Sequence, residues 1–191
     1  ESLGSFYEKK HTGRFGSLAA ISFNGNKIIT TGGGGMIITD DEVISKRVKH
    51  ITTTAKVDHP WLYMHDDLGF NYRLPNLNAA LGCAQMDLLS NYLERKRALA
   101  ERYANWFSDK GYKFILEPDN TKANYWINAF LVNGREERDE ILKYTNNNKV
   151  MTRPAWTPMH TLKMFKDNLR VDLTNTEWLE SRLVNIPSSV I

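Results

Sequence analysis

The sequence predicts an α/β protein in two parts, on three observations. Residues 1–75 alternate short apolar, strand-like runs with glycine and then enter an irregular connection. Residues 76–110 carry one long helical period, and residues 111–191 hold short mixed strands and helices. Strands, a long helix, then α+β reads as the end of one domain followed by most of a second.

In order, Leu18–Phe23 reads as a buried strand and Met36–Thr39 as another, separated by Asn24-Gly25-Asn26-Lys27 and by Thr30-Thr31-Gly32-Gly33-Gly34-Gly35. Asp40-Asp41-Glu42 opens a helix over Val43–His50, with acids at its positive end and Lys46, Arg47, Lys49 and His50 towards its negative end. Residues 51–75 have no period, but Trp61, Tyr63, Phe70 and Tyr72 argue against disorder. From Asn76 to Asp109, Leu77, Leu81, Ala84, Leu88, Tyr92, Leu99, Tyr103 and Phe107 recur at helical spacing, between Pro75 and Gly111. Strands are predicted over Tyr112–Leu116 and Tyr125–Val132, a helix over Arg135–Asn147 and an extended run over Val150–Trp156. Thr174-Asn175-Thr176-Glu177 has the form of a capping box opening a helix through Leu183, with Trp178 and Leu179 inward.

The composition, 41% hydrophobic and 25% charged over 191 residues, is that of a globular chain with a core. A net charge of +3 argues against a dedicated nucleic-acid or membrane-surface protein. A single cysteine, Cys83, excludes an internal disulfide framework and a cysteine-rich zinc module. No metal site is read from the sequence. No apolar run approaches the ~20 residues of a membrane helix. Because the sequence begins at Glu1 rather than at a methionine, holds no signal-like segment and stops within an apolar stretch at Val190-Ile191, the chain is expected to be an internal piece of a longer cytoplasmic protein.

Which residues carry chemistry? A phosphate-gripping P-loop needs Lys-Ser or Lys-Thr after its last glycine, and Gly35 is followed by Met36-Ile37. A dinucleotide fingerprint needs a helix after the glycines, and here a strand follows. The glycines by themselves read as a hairpin turn. Lys27 reads either as a solvated lysine or as a covalent catalyst held at the end of a strand, facing a carbonyl. Ser22, five residues earlier, is a strand-end hydroxyl able to meet a phosphate.

Ser22-Phe23-Asn24-Gly25-Asn26-Lys27, followed by Ile29-Thr30-Thr31-Gly32-Gly33-Gly34-Gly35-Met36, resembles the Schiff-base lysine segment of the pyridoxal-phosphate (PLP) sugar aminotransferases, the DegT/DnrJ/EryC1/StrS family. Glu1-Ser2-Leu3-Gly4-Ser5 is similar to the tail of that family's Asp-Ala-Ala-Glu/Gln segment. Gly69-Phe70-Asn71-Tyr72-Arg73-Leu74 is similar to its Gly-x-Asn-Tyr-Arg-Met/Leu motif, and Asn78-Ala79-Ala80-Leu81-Gly82 with Gln85 to the start of its interdomain helix. Arg153-Pro154-Ala155-Trp156 and Asn185-Ile186-Pro187-Ser188-Ser189 resemble its carboxy-terminal landmarks.

The resemblance implies a type I PLP-dependent transferase fold of the aspartate aminotransferase-like kind. Residues 1–75 would close the large α/β/α PLP-binding domain, 76–110 form the interdomain helix and 111–191 make the small α+β domain. It implies that Lys27 holds PLP as a Schiff base and then moves the substrate proton, and that Ser22 binds the cofactor phosphate. Glu1 would lie beside the pyridine ring, and Asn71 would reach the partner's cofactor phosphate across a homodimer interface that Tyr72 and Arg73 shape. Tyr72, Arg73, Arg153 and His160 would contact substrate or frame the sugar pocket; His160 reads equally as a packed loop histidine. His59 and His65 could line the site, but read more simply as polar surface. The family's aspartate for the pyridinium nitrogen would precede Glu1, so the segment alone is expected to be inactive and the functional protein about twice as long.

Three readings follow. The first is transfer of an amino group from L-glutamate to a nucleotide-linked keto-sugar, specifically a UDP-4-keto-6-deoxy-N-acetylhexosamine, for surface glycans. The second is a non-catalytic PLP-fold binding or regulatory module, which the retained Lys27 and Ser22 disfavour. The third is an inactive fragment of the parent enzyme.

Overall fold

The computed structural model describes residues 1–190. The chain divides into two units, Glu1–Leu93 with Asp119–Asn124, and Glu94–Pro118 with Tyr125 onward.

The first unit is built on short ladders. β1 (Phe6–Tyr7) and β2 (Lys10–His11) make a small antiparallel pair, and β3 (Ala19–Ser22) pairs antiparallel with β4 (Gly35–Ile38), Ser22 lying opposite Gly35. The glycine run is therefore the connection of a hairpin. Gly34 has φ +102°, a left-handed conformation that a side chain would strain. Helix α1 (Glu42–Thr52) is capped by Asp41, whose Oδ1 accepts the Val43 and Ile44 N–H groups at 2.8 and 3.0 Å. Acids and bases lie at the ends of α1 that its dipole favours, Glu42 in the first turn and Lys49 and His50 in the last.

The long helical period is interrupted. α2 (Asn76–Asp87) ends at Leu88, and α3 (Leu89–Asp109) begins directly after it. None of the α2 residues is buried, whereas α3 buries Lys96, Ala100 and Phe107 at helical spacing. The apolar signal that continues across Leu88 in sequence thus serves two helices with different neighbours.

In the second unit, β5 (Lys113–Phe114) follows α3. The chain then returns to the first unit as β6 (Thr121–Lys122), which adds antiparallel to β1. β7 (Asn128–Leu131) is central in the second unit's antiparallel sheet, whose order is β5, β7, β9 (Leu183–Ile186) and β8 (Arg153–Pro154). All four β7 residues are buried, which explains their unbroken apolar character after Asn128. Helix α4 spans Arg135–Asn147, as its sequence pattern predicts. Phe107, Phe114, Phe130, Val132, Val184 and Ala100 form one core, with the Phe107 and Phe130 rings stacked 4.2 Å apart.

Helix α5 (Thr174–Glu180) departs from its predicted form. Thr174 does not cap it: its hydroxyl donates to Asp172 at 2.7 Å, a charged acceptor close by. Glu177 is accordingly released from the box and meets His160. Trp178 and Leu179 point outward, 47% and 41% exposed, with Trp178 under the Arg182 guanidinium. Leu183 lies in β9, so the helix ends earlier than its apolar run. Among the described residues, no helix is long and apolar enough to cross a membrane.

Candidate active site

The turn after β3 carries the site. Asn24, Gly25 and Asn26 are exposed at its apex, yet the Lys27 side chain is only 14% exposed. Its Nζ donates to Glu1 Oε1 at 2.6 Å. This hydrogen bond, with the lysine's charge behind it, holds the Glu1 carboxyl below the usual carboxylate range. Ser22 stands at the exposed end of β3, its Oγ accepting the Asn24 N–H at 3.3 Å. Lys27 N–H in turn donates to the Asn24 carbonyl at 3.0 Å, so the serine and the lysine belong to one hydrogen-bonded turn. The structure therefore brings Lys27 against Glu1, 26 positions away in the chain, on a turn that Ser22 begins.

What holds Glu1 there is invisible in the sequence. Asn124 is buried, and its Nδ2 donates to the Glu1 carbonyl at 2.7 Å and the Leu3 carbonyl at 2.9 Å. Its own N–H donates to Ser5 Oγ at 3.0 Å. Together with the β1–β6 ladder, this asparagine anchors the segment that presents the carboxylate. More than a hundred residues separate the partners, so no local pattern marks them.

Asn71, Tyr72 and Arg73 lie exposed on another segment of the same unit. A bridge between Thr53 and Asn71, and the Tyr72 N–H donating to Thr52 at 3.1 Å, hold that segment along the end of α1. Behind it the backbone is tight. Thr54 and Ala55 both have positive φ, and a Cβ on Gly69 would fall 2.2 Å from the Thr54 carbonyl carbon. Non-glycine residues in left-handed conformations persist where surroundings over-determine them. The Phe70 and Tyr72 rings stack with centroids 5.1 Å apart.

The two loop histidines serve their own loop. His59 Nδ1 accepts the Trp61 and Leu62 N–H groups, and the His65 ring nitrogen lies 2.7 Å from the Thr54 carbonyl. Arg153 and His160 belong to the second unit and find partners there. Arg153 reaches Asn146 and the Thr152 carbonyl, both at 3.2 Å, and His160, its side chain 14% exposed, pairs with Glu177 at 2.9 Å.

A lysine held by a carboxylate, on a hairpin connection that starts from a strand-end hydroxyl and ends in the glycine run, makes this turn the candidate site for carbonyl chemistry on an α/β fold. The chain matches the DegT/DnrJ/EryC1/StrS aminotransferase family over residues 1–190 and belongs to it. It is 34% identical over 188 residues to a GDP-perosamine synthase of Escherichia coli O157:H7, covering 98% of this chain and 51% of that protein. Spr1654 of Streptococcus pneumoniae, solved in its PLP form, superposes with a TM-score of 0.88 at 21% identity, over 98% of this chain and 50% of that one. PseC of Helicobacter pylori, an aminotransferase of pseudoaminic acid biosynthesis, superposes with a TM-score of 0.89 at 20% identity, over 97% and 51%. The chain thus spans about half the length of these relatives. The fold is the type I, aspartate aminotransferase-like α/β fold that the motifs imply.

The cofactor that goes with this family is pyridoxal phosphate. The donor set here fits it. An amine with a mostly buried stem can take the aldehyde, an exposed strand-end hydroxyl can take a phosphate oxygen, and a carboxylate stands where the amine is held.

Proposed function

We propose that this chain is part of an aminotransferase that moves an amino group from L-glutamate to a nucleotide-linked keto-sugar. The favoured substrate is a UDP-4-keto-6-deoxy-N-acetylhexosamine for surface-glycan synthesis in the cytoplasm. The observation that carries the reading is Lys27, whose amine is held at 2.6 Å by Glu1 on a turn whose other apex residues face solvent. The retained lysine also disfavours a non-catalytic binding module.

The cofactor, when bound, supplies the electron sink that stabilises negative charge at the substrate carbon. The chain's residues then do the positioning. Lys27 would hold the cofactor through Nζ, and its amine is the group placed to carry the substrate proton over a short distance. Ser22 and N–H groups of its turn would hold the phosphate, and Glu1 would orient the ring. Asn71, with Tyr72 and Arg73 beside it, reaches the phosphate in the partner subunit of a homodimer. Exposed Trp61, Tyr63, Leu68 and Leu77, in the same region of sequence, support a surface that another subunit covers. Arg153 and His160 frame the sugar. The nucleotide preference rests on the wording of Asn24-Gly25-Asn26-Lys27 and Arg153-Pro154-Ala155-Trp156. The domains follow the same reading, with 1–75 closing the PLP-binding domain, 76–110 linking and 111–191 forming the small domain.

The test is PLP loading of the full-length protein, borohydride reduction and peptide mapping, followed by glutamate-dependent conversion of the bound cofactor to its amine form. The expected result is a phosphopyridoxyl group on Lys27, absent in Lys27→Ala, and turnover with UDP-linked but not GDP-linked keto-sugar. A full-length protein with no adduct overturns the enzyme reading; an adduct with no glutamate conversion leaves the binding-module reading.

A further inference from the structure

The interdomain-helix motif, Asn78 through Gln85, has no part in the chemistry above, and its residue types are odd for a helix face. Asn78, Gly82 and Gln85 recur at i, i+4 and i+7, and so share one side of α2. That side meets the base of the lysine turn. Asn78 Nδ2 donates to the Thr31 carbonyl at 2.5 Å, and the Thr30 N–H points to Gln85 Oε1 at 3.5 Å. Between them, a Cβ on Gly82 would stand 3.0 Å from Thr31 Cγ2, so the helix backbone approaches the turn as closely as it can. The apolar residues Leu77 and Leu81 of the same helix face outward, 87% and 44% exposed.

The turn itself is closed by its own bonds. Phe23 N–H donates to the Gly34 carbonyl, while the Phe23 carbonyl accepts both the Thr31 N–H and the Thr30 hydroxyl. Ile29 and Thr31 are each 1% exposed. The segment from Phe23 to Gly34 is thus a closed loop with a solvent-facing apex and a base fixed against α2.

We propose that Asn78, Gly82 and Gln85 are positioning residues that set the base of this loop and, through it, the place of the Lys27 amine relative to the cofactor. The proposal rests on the pyridoxal phosphate reading of Lys27.

The experiment compares the full-length protein, freed of bound PLP, with its Asn78→Leu, Gln85→Leu, Gln85→Glu and, on an outward face, Leu81→Ala variants. Two readouts are taken: the rate at which added PLP forms a borohydride-trappable adduct on Lys27, and hydrogen exchange of the amides of residues 28–34. Asn78→Leu and Gln85→Leu are expected to slow adduct formation about three- to tenfold, the size that losing one neutral hydrogen bond carries. They should also speed exchange across 28–34, while exchange in β7 stays as it was. Gln85→Glu keeps the acceptor and recovers most of the rate lost in Gln85→Leu, and Leu81→Ala changes neither readout. Adduct rates and 28–34 exchange equal to wild type in Asn78→Leu overturn the proposal. Faster exchange with an unchanged adduct rate also overturns it, since the helix would then stabilise the loop without placing the lysine. Absence of any Lys27 adduct in the wild-type protein instead removes the cofactor reading on which it rests.

Discussion

The two units are held together by different means. The second has a continuous apolar core, with Phe107, Phe114 and Phe130 against Val132 and Val184. The first buries few large apolar side chains, Phe23 and Ile29 chief among them, and leaves Trp61, Tyr63, Leu68 and Leu77 between 75% and 87% exposed. Its order comes from short ladders, from the Asp41 cap, from Asn124 and from the polar face of α2. Apolar burial is non-directional and tolerates small shifts, whereas hydrogen bonds fix positions to tenths of an ångström. The unit that carries Lys27 is the one built by the directional means.

The comparison breaks most visibly at Phe107. Phe107→Ala should destabilise the second unit by about 3–5 kcal/mol, as loss of a central aromatic from a packed core does. Urea unfolding followed through tryptophan fluorescence measures it. A loss below about 1 kcal/mol would mean that the stacked rings are not the unit's main support.

The counterpart in the first unit is backbone, not side chain. Gly69→Ala would place a Cβ 2.2 Å from the Thr54 carbonyl carbon and 2.3 Å from the Ala55 nitrogen, where no side-chain rotation helps. The expected cost is about 1–3 kcal/mol, in the range of overpacking. With it should come faster hydrogen exchange at Thr54, Phe70 and Tyr72, whose amides bind across this contact. A variant with wild-type exchange there would show the 53–72 segment to be looser than its contacts imply.

The same contrast explains what could be read in advance. Helix α4 and the β3–β4 hairpin were legible because period and turn chemistry are local. The lysine turn and Ser22 were legible because a contiguous stretch carries them. The Asn124 anchor of Glu1 was not, since its partners lie more than a hundred residues away. The break at Leu88 was hidden because both helices continue one apolar rhythm while facing different neighbours. The α5 cap failed through one residue outside the motif, Asp172, which captured the threonine hydroxyl.

The smallest expected effect concerns the one charged group set into the second unit's interior on α3. Lys96 is 7% exposed, and its ammonium donates to the carbonyls of Ser188 at 2.8 Å and Trp126 at 3.3 Å, with no carboxylate among its partners in the described residues. Burial pushes its pKa below the usual lysine value of 10.5. Below its lowered pKa both folded and unfolded chains carry the proton, and the cost of burying charge is paid in full. Between that pKa and the ordinary value the unfolded chain binds more protons, so stability rises with pH across this alkaline window. Tyr103, Tyr112 and Tyr125 titrate nearby with raised values and act in the opposite sense, because their neutral forms are the ones the fold keeps. The tyrosines are common to wild type and Lys96→Met, so the difference between the two stability curves isolates the lysine. Wild type should gain on Lys96→Met as pH rises through the window, and parallel curves would show that Lys96 keeps its hydration in the folded protein.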